Sequence, residues 1–238
     1  MKRRLKINGF IMVIVLLTVA LFPSVFARHN PASFIDEIAE IFGVTFILLG
    51  QIMRASARGY KSEHSQNGRS LIQDGPYGLV RNPMYLGILL VGLGIVLVLF
   101  KWWVMCIFLF IFTIRYIMLI FKEEKKLRVL FPLAYKDYCT KVPRILPSPA
   151  RLLKMDIARY LPLKLLWIKR EMGSILAVLF IPLLAESWED IRVEGLRAYL
   201  KEAALMGITI ILFIFLVIYL VKRTAGWGRN AANKSKSN

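Results

Sequence analysis

Two short polar patches stand out between long apolar runs, Arg81-Asn82-Pro83 and Glu123-Glu124. Asparagine is a favoured helix cap, and proline suits the first helical position, where its missing N–H costs no hydrogen bond. A helix is therefore expected to start at Pro83, its positive dipole end beside Arg81, an arrangement ready to hold an anion. The same residues also describe a capped membrane helix with a snorkelling arginine. Glu123 and Glu124 follow an apolar run and are flanked by Lys122, Lys125 and Lys126. They read either as a solvated charge run or as the seat of a cationic or hydroxyl-rich ligand. Acids oppose the dipole at a helix C-terminus, and positive-inside sorting does not place them there.

Weaker signals lie nearby. Tyr85 and Gly92 share one helix face, with Gly94 well round from Gly92. Glycines there admit either a ligand or a neighbouring backbone. Arg115 falls inside an apolar run, close enough to its end to snorkel or to meet a substrate anion. Cys106 and Cys139 are expected at opposite ends of a helix, which disfavours a disulfide between them. His29 and His64 are isolated, and no spacing suggests a metal site.

The elements that must position these residues are membrane helices. Hydrophobic residues make up 57% of the 238-residue chain, more than the polar surface of one soluble core would allow. Six apolar segments, near 9–27, 36–53, 84–100, 102–121, 172–185 and 204–221, have lengths that suit an all-α integral membrane protein of about six spans. The fifth is short and contains Pro182, which fits a kinked or re-entrant helix. The first resembles a signal peptide ending near Val25-Phe26-Ala27 but is longer than usual, so an uncleaved helix is expected. The net charge of +18 gathers on one side of this topology, which points to positive-inside sorting rather than nucleic-acid binding. Both termini, a 54–83 loop and the 122–171 segment are expected to be cytoplasmic. Only Lys101-Trp102-Trp103 separates the third and fourth runs, so 84–121 should form a tight hairpin. That brings the two polar patches together as a cytoplasmic pocket.

Taken together, these motifs resemble those of a known family. Gly75-Pro76-Tyr77 and Arg81-Asn82-Pro83-Met84-Tyr85-Leu86-Gly87 are similar to the first block of isoprenylcysteine carboxyl methyltransferases. Glu123, Glu124, Leu127, Phe131, Tyr135, Tyr138, Val142, Pro143, Arg144 and Pro147 fall in register with the second. The related phospholipid N-methyltransferases pair a Gly-x-Gly, here Gly92-Leu93-Gly94, with a Glu-Glu. The resemblance covers roughly 45–150, and Asn82 and Pro132 depart from it by replacing histidine and glycine. Asparagine can hydrogen-bond a cofactor but cannot shuttle a proton near neutral pH.

The resemblance implies a methyltransferase core over 1–150; beyond it, the apolar runs and polar end of 151–238 are expected to form a C-terminal extension with two further helices and a disordered tail. It implies S-adenosylmethionine as cofactor, held by Tyr77, Arg81, Asn82, Pro83, Tyr85, Gly87, Gly92, Gly94, Glu123 and Glu124. The implied acceptor is a lipid-like or prenylated substrate arriving from the bilayer, first of all a carboxylate, which needs no general base. Arg144 or Lys141, with Arg115, would orient it. An amine of a phospholipid headgroup is the alternative acceptor and must first lose a proton. A sterol-type NADPH-dependent reductase and a non-catalytic scaffold are further readings. A transporter is disfavoured by the single intramembrane charge.

Overall fold

The computed structural model describes residues 23–26, 34–65, 70–147, 156–193 and 196–236. Of the first expected span only the short helix α1 (Pro23–Phe26) falls within them. α2 (Phe34–His64), α4 (Pro83–Leu99), α5 (Trp102–Leu130), α8 (Leu165–Val193) and α9 (Leu196–Lys236) are the long elements. α3 (Pro76–Leu79), α6 (Pro132–Lys141) and α7 (Ile157–Tyr160) are short connectors. Among the described residues, three stretches are long and apolar enough to cross a membrane, Ile38–His64, Trp102–Leu130 and Met206–Gly226, and Pro83–Leu99 is a shorter apolar helix. The six-span expectation is thus borne out for three. α8 carries the fifth segment and runs helical through Pro182.

Two helices overrun the apolar segments that announced them. The 54–83 stretch is not a loop throughout, because α2 continues through Arg54, Arg58 and Lys61 to His64. Nothing in Arg54–His64 breaks a helix except Gly59, and there the Trp167 ring occupies the space a side chain would need. Likewise α5 runs nine residues past 121, to Leu130. Glu123 and Glu124 therefore lie within a helix rather than at its end, and the dipole argument made for them from sequence does not hold.

α4 packs most closely on α2, and glycines set the distance. A Cβ on Gly94 would sit 2.4 Å from the Gly43 carbonyl oxygen, and one on Gly87 would sit 2.8 Å from that of Gly50. Gly43 and Gly50 are seven residues apart on α2, as are Gly87 and Gly94 on α4, so two helical turns of antiparallel backbone meet without side chains between them. Gly92 faces the other way, under the Phe108 ring of α5. Small-residue packing thus accounts for Gly87 and Gly94 once the spacing is read as seven rather than four, and ring packing accounts for Gly92.

The expected hairpin is present, with Phe100 and Lys101 alone linking α4 to α5. The inward stripe of α5 is Phe112, Tyr116, Ile120 and Glu124 at four-residue steps, with Phe112, Ile120 and Glu124 buried. α8 and α9 close the other side of α2, and Ile52, Ala55, Ala158, Leu163 and Leu220 form one buried cluster. The two expected parts of the chain thus share a core.

Candidate active site

Local backbone rules bring the two motif blocks together. Gly75 has φ 58°, a conformation that disfavours side chains, and starts the turn into α3. Asn82 and Pro83 hold the cap and first positions of α4 as the sequence implied, yet the Asn82 side chain makes no cap bond. Its Nδ2 donates instead to the Arg144 carbonyl at 3.0 Å, while the Arg81 N–H donates to the Pro143 carbonyl at 2.8 Å. These bonds fasten the Arg81–Asn82 corner to the segment after α6.

Glu124 is the centre of the cluster. Its side chain is 3% exposed, and Arg144 grips it through Nε to Oε1 at 2.9 Å and Nη2 to Oε2 at 3.0 Å. Arg81 Nη1 reaches Oε1 at 3.2 Å, and Arg128, one turn along α5, stands 3.6 Å from Oε2. A carboxylate removed from water needs such partners to remain charged. The bonds to Glu124 raise the pKa of Arg144. Arg81 also donates from Nη1 to Cys139 Sγ at 2.9 Å, but its buried Nε has no partner among the described residues. A buried N–H left unpaired costs free energy and invites an acceptor.

Glu123 differs from its neighbour. Its side chain is 41% exposed. It accepts from the Tyr85 hydroxyl at 3.2 Å and from Lys61 Nζ at 3.5 Å. Tyr85 in turn packs against Tyr116, ring centroids 5.3 Å apart. A cavity of about 240 Å³ opens here, with Lys61, Tyr77, Arg81, Asn82, Glu123 and Glu124 among its lining. Its back wall is Tyr138, whose hydroxyl donates to the Tyr77 carbonyl at 2.6 Å, and beside it Tyr135. Burial, then the charge of Glu124, pushes the Tyr135 phenol up to about 12. Burial also raises the phenols of Tyr77 and Tyr138, so all three act as neutral hydroxyls.

Of the residues singled out in the sequence, Tyr77, Arg81, Asn82, Glu123 and Glu124 line this cavity. Tyr85 joins it through Glu123, and Pro83 starts the helix beneath it. Gly87, Gly92 and Gly94 are instead occupied in helix packing. Arg144 meets the cluster with its guanidinium on Glu124 and its ring neighbour Phe121 at 4.9 Å. Arg115 is exposed, off the inward stripe of α5. Lys141, in the last turn of α6, lines a second cavity on the far side of Tyr138. Cys106 and Cys139 are both free thiols.

The second cavity was not anticipated. It measures about 650 Å³, and Tyr60, Lys141, Arg159, Tyr160, Lys164 and Trp167 are among its lining. Trp167 Nε1 and Lys164 Nζ both donate to Glu63. Residues of α2, α3, α6, α7, α8 and α9 meet there, too far apart in sequence to form a motif. Lys61, Arg128 and Cys139 were also passed over as site neighbours. Only Arg128 carried a signal, its four-residue step from Glu124.

Fold and site together define a helical membrane protein with a charged cavity at the polar end of an apolar hairpin. Residues 38–133 match the family model described as phospholipid methyltransferase, consistent with the membrane methyltransferase family whose motifs the sequence displays. No curated protein and no solved structure matches the chain. The matched stretch contains α2 from Ile38 onward, α4, α5 and both glutamates, while Cys139, Lys141 and Arg144 lie beyond it.

Proposed function

We infer that the protein transfers a methyl group from S-adenosylmethionine to the polar head of a lipid-like substrate at the 240 Å³ cavity. One observation carries the reading: within the stretch that matches the family model, a half-exposed carboxylate, Glu123, lines one cavity with Arg81, Asn82 and Tyr77. S-adenosylmethionine offers a cationic amino group, a carboxylate and hydroxyls, and this donor set suits all three. Its sulfonium would supply an activated methyl group. At about 240 Å³ the cavity lies below the roughly 300–1,000 Å³ of pockets that enclose a whole ligand. It therefore suits part of the cofactor, with the remainder at the open mouth.

The residues divide the work. Glu124 holds Arg81 and Arg144 in place and has no free oxygen to offer a ligand. Glu123, tied by Tyr85, takes the cationic group. Tyr77 and Tyr138, neutral throughout the physiological range, keep the back wall rigid. Methyl transfer of this kind gains chiefly from alignment and exclusion of water.

For the acceptor, the arrangement favours an amine over a carboxylate. The residues expected to orient a carboxylate are engaged or distant: Arg144 is chelated by Glu124, Lys141 lies behind Tyr138, and Arg115 is on an outer face. An ammonium headgroup would first release a proton, which, with Glu123 on the cofactor's cationic group, would pass to water at the open mouth. The neutral amine would then accept the methyl group that bound S-adenosylmethionine supplies, the carbon–sulfur bond breaking and the nitrogen taking up the positive charge that the sulfonium loses. Positive-inside sorting puts this end of the hairpin at the cytoplasmic surface.

Calorimetry of the purified chain in detergent tests the cofactor. S-adenosylmethionine and its demethylated product are expected to bind, and NADPH is not. Binding of NADPH alone would favour the reductase reading.

A further inference from the structure

The 650 Å³ cleft lies at the level where spanning helices end. Tyr60 stands at the last turns of the Ile38–His64 span and Thr224 near the end of Met206–Gly226, and both line it. Its cations are Lys141, Arg159 and Lys164, against the single carboxylate of Asp74 among the lining residues. Lys164 is shared with Glu63, whereas no ion pair involves Arg159 among the described residues. Tyr60, Tyr160 and Trp167 give the aromatic surround that membrane interfaces prefer.

Directly beside it is an apolar groove of about 170 Å³ between α2, α8 and α9. Pro162 and Lys164 line the cleft while Leu163 between them lines the groove. Down α8 the lining passes from Trp167 in the cleft to Ile168, Met172 and Ile175 in the groove. Along α9 it passes from Thr224 to Ile218, Val217 and Ile214, about 15 Å at the helical rise. A charged compartment at headgroup depth beside an apolar one at acyl depth has the polarity of one amphiphile.

We propose that this composite site binds an anionic phospholipid, its phosphate among Arg159, Lys141 and Lys164 and one acyl chain along Leu163, Ile168 and Ile218. Basic pockets between membrane helices recognise acidic headgroups in this way. The Tyr138–Tyr77 wall separates the lipid from the Glu123 cavity, so it is a resident lipid rather than the methyl acceptor. The site joins the family-matched segment to residues 156–236 and gives that extension a binding role. Nothing in it depends on methyl transfer.

The thermal midpoint of the full chain in neutral detergent, followed during titration with phosphatidylglycerol, phosphatidylcholine or glycerol phosphate, tests this. Phosphatidylglycerol should stabilise at a half-saturating concentration at least about tenfold below that of phosphatidylcholine, the scale of a charged hydrogen bond. Free glycerol phosphate should not stabilise at matched concentration. Arg159→Gln should raise the phosphatidylglycerol requirement about tenfold and Arg159→Lys restore most of it, with lipid-free midpoints unchanged. Ile218→Phe, which fills the groove, should weaken both lipids. Equal stabilisation by the two lipids, or an unaltered titration in Arg159→Gln, would overturn the headgroup assignment. Glycerol phosphate acting as well as the lipid would overturn the amphiphile.

Discussion

The two polar cavities share Tyr138 as a wall and differ in what their charges do. On the smaller side, Glu124 is enclosed by Arg144, Arg81 and Arg128, and the ions chiefly satisfy one another. On the larger side, Lys164 is paired with Glu63, and no ion pair involves Arg159 among the described residues. A saturated cluster fixes geometry, and a cation left open to a cleft selects a ligand. The same contrast recurs at closer range between adjacent glutamates, where Glu124 is buried and gripped while Glu123 remains 41% exposed.

Breaking the saturated cluster should have the largest effect. Glu124→Gln leaves three arginines around a neutral amide and is expected to destabilise the fold by about 2–3 kcal/mol. That is toward the low side for a broken buried pair, because Arg144 and Arg128 keep contact with water. Denaturation of wild type and variant in the same detergent measures this, and an unchanged midpoint would show that Glu124 does not organise the corner.

Glycine packing comes next. Gly94→Ala puts a methyl group 2.4 Å from the Gly43 carbonyl oxygen, which should cost about 1–3 kcal/mol. Gly173→Ala meets nothing within 4 Å and should be neutral or stabilising by up to about 1 kcal/mol, as alanine favours helix. Equal effects of the two in thermal unfolding would remove close packing as the reason for Gly94.

Glu123→Gln sharpens the comparison from the other side. It should leave stability within about 0.5 kcal/mol of wild type but weaken S-adenosylmethionine binding by more than about 1 kcal/mol, the scale of a charged hydrogen bond. A loss of stability without a loss of affinity would reverse the roles assigned to the two glutamates.

Alkaline pH gives a smaller, graded effect. The Tyr135 phenol is raised to about 12 from an ordinary value of about 10. A raised folded-state pKa contributes stability that is fully present below the unfolded value and is lost as pH rises through the folded one. Stability should therefore hold to about pH 10 and decline from there toward 12, and Tyr135→Phe should flatten that decline. A fall already complete by pH 9 would contradict the neutral tyrosine wall.

The sequence made the hairpin, the Asn82–Pro83 helix start and the meeting of the two motif blocks legible, because capping rules and a two-residue connection are local. It did not show where α2 and α5 end. Hydropathy marks the depth of a membrane rather than the length of a helix, and Arg54–His64 and Lys122–Leu130 continue helically as polar turns. Nor could the run Lys122–Lys126 show that Glu124 is buried while Glu123 is half exposed. That depends on Arg144 arriving from beyond α6. The seven-residue spacing of Gly43 with Gly50 and Gly87 with Gly94 was open to inspection, but a search for pairs four apart passes over it. The larger cleft had no local signature, since its walls come from six helices.

The central claim is methyl transfer at the Glu123 cavity. It is tested most directly by incubating purified wild-type protein and Glu123→Gln with methyl-labelled S-adenosylmethionine and two lipid acceptors, an amine-headgroup phospholipid and a prenylated cysteine. Label is expected in the amine lipid with wild type and to be strongly reduced with Glu123→Gln at unchanged protein stability. Label in neither lipid, or undiminished transfer by Glu123→Gln, would contradict the account.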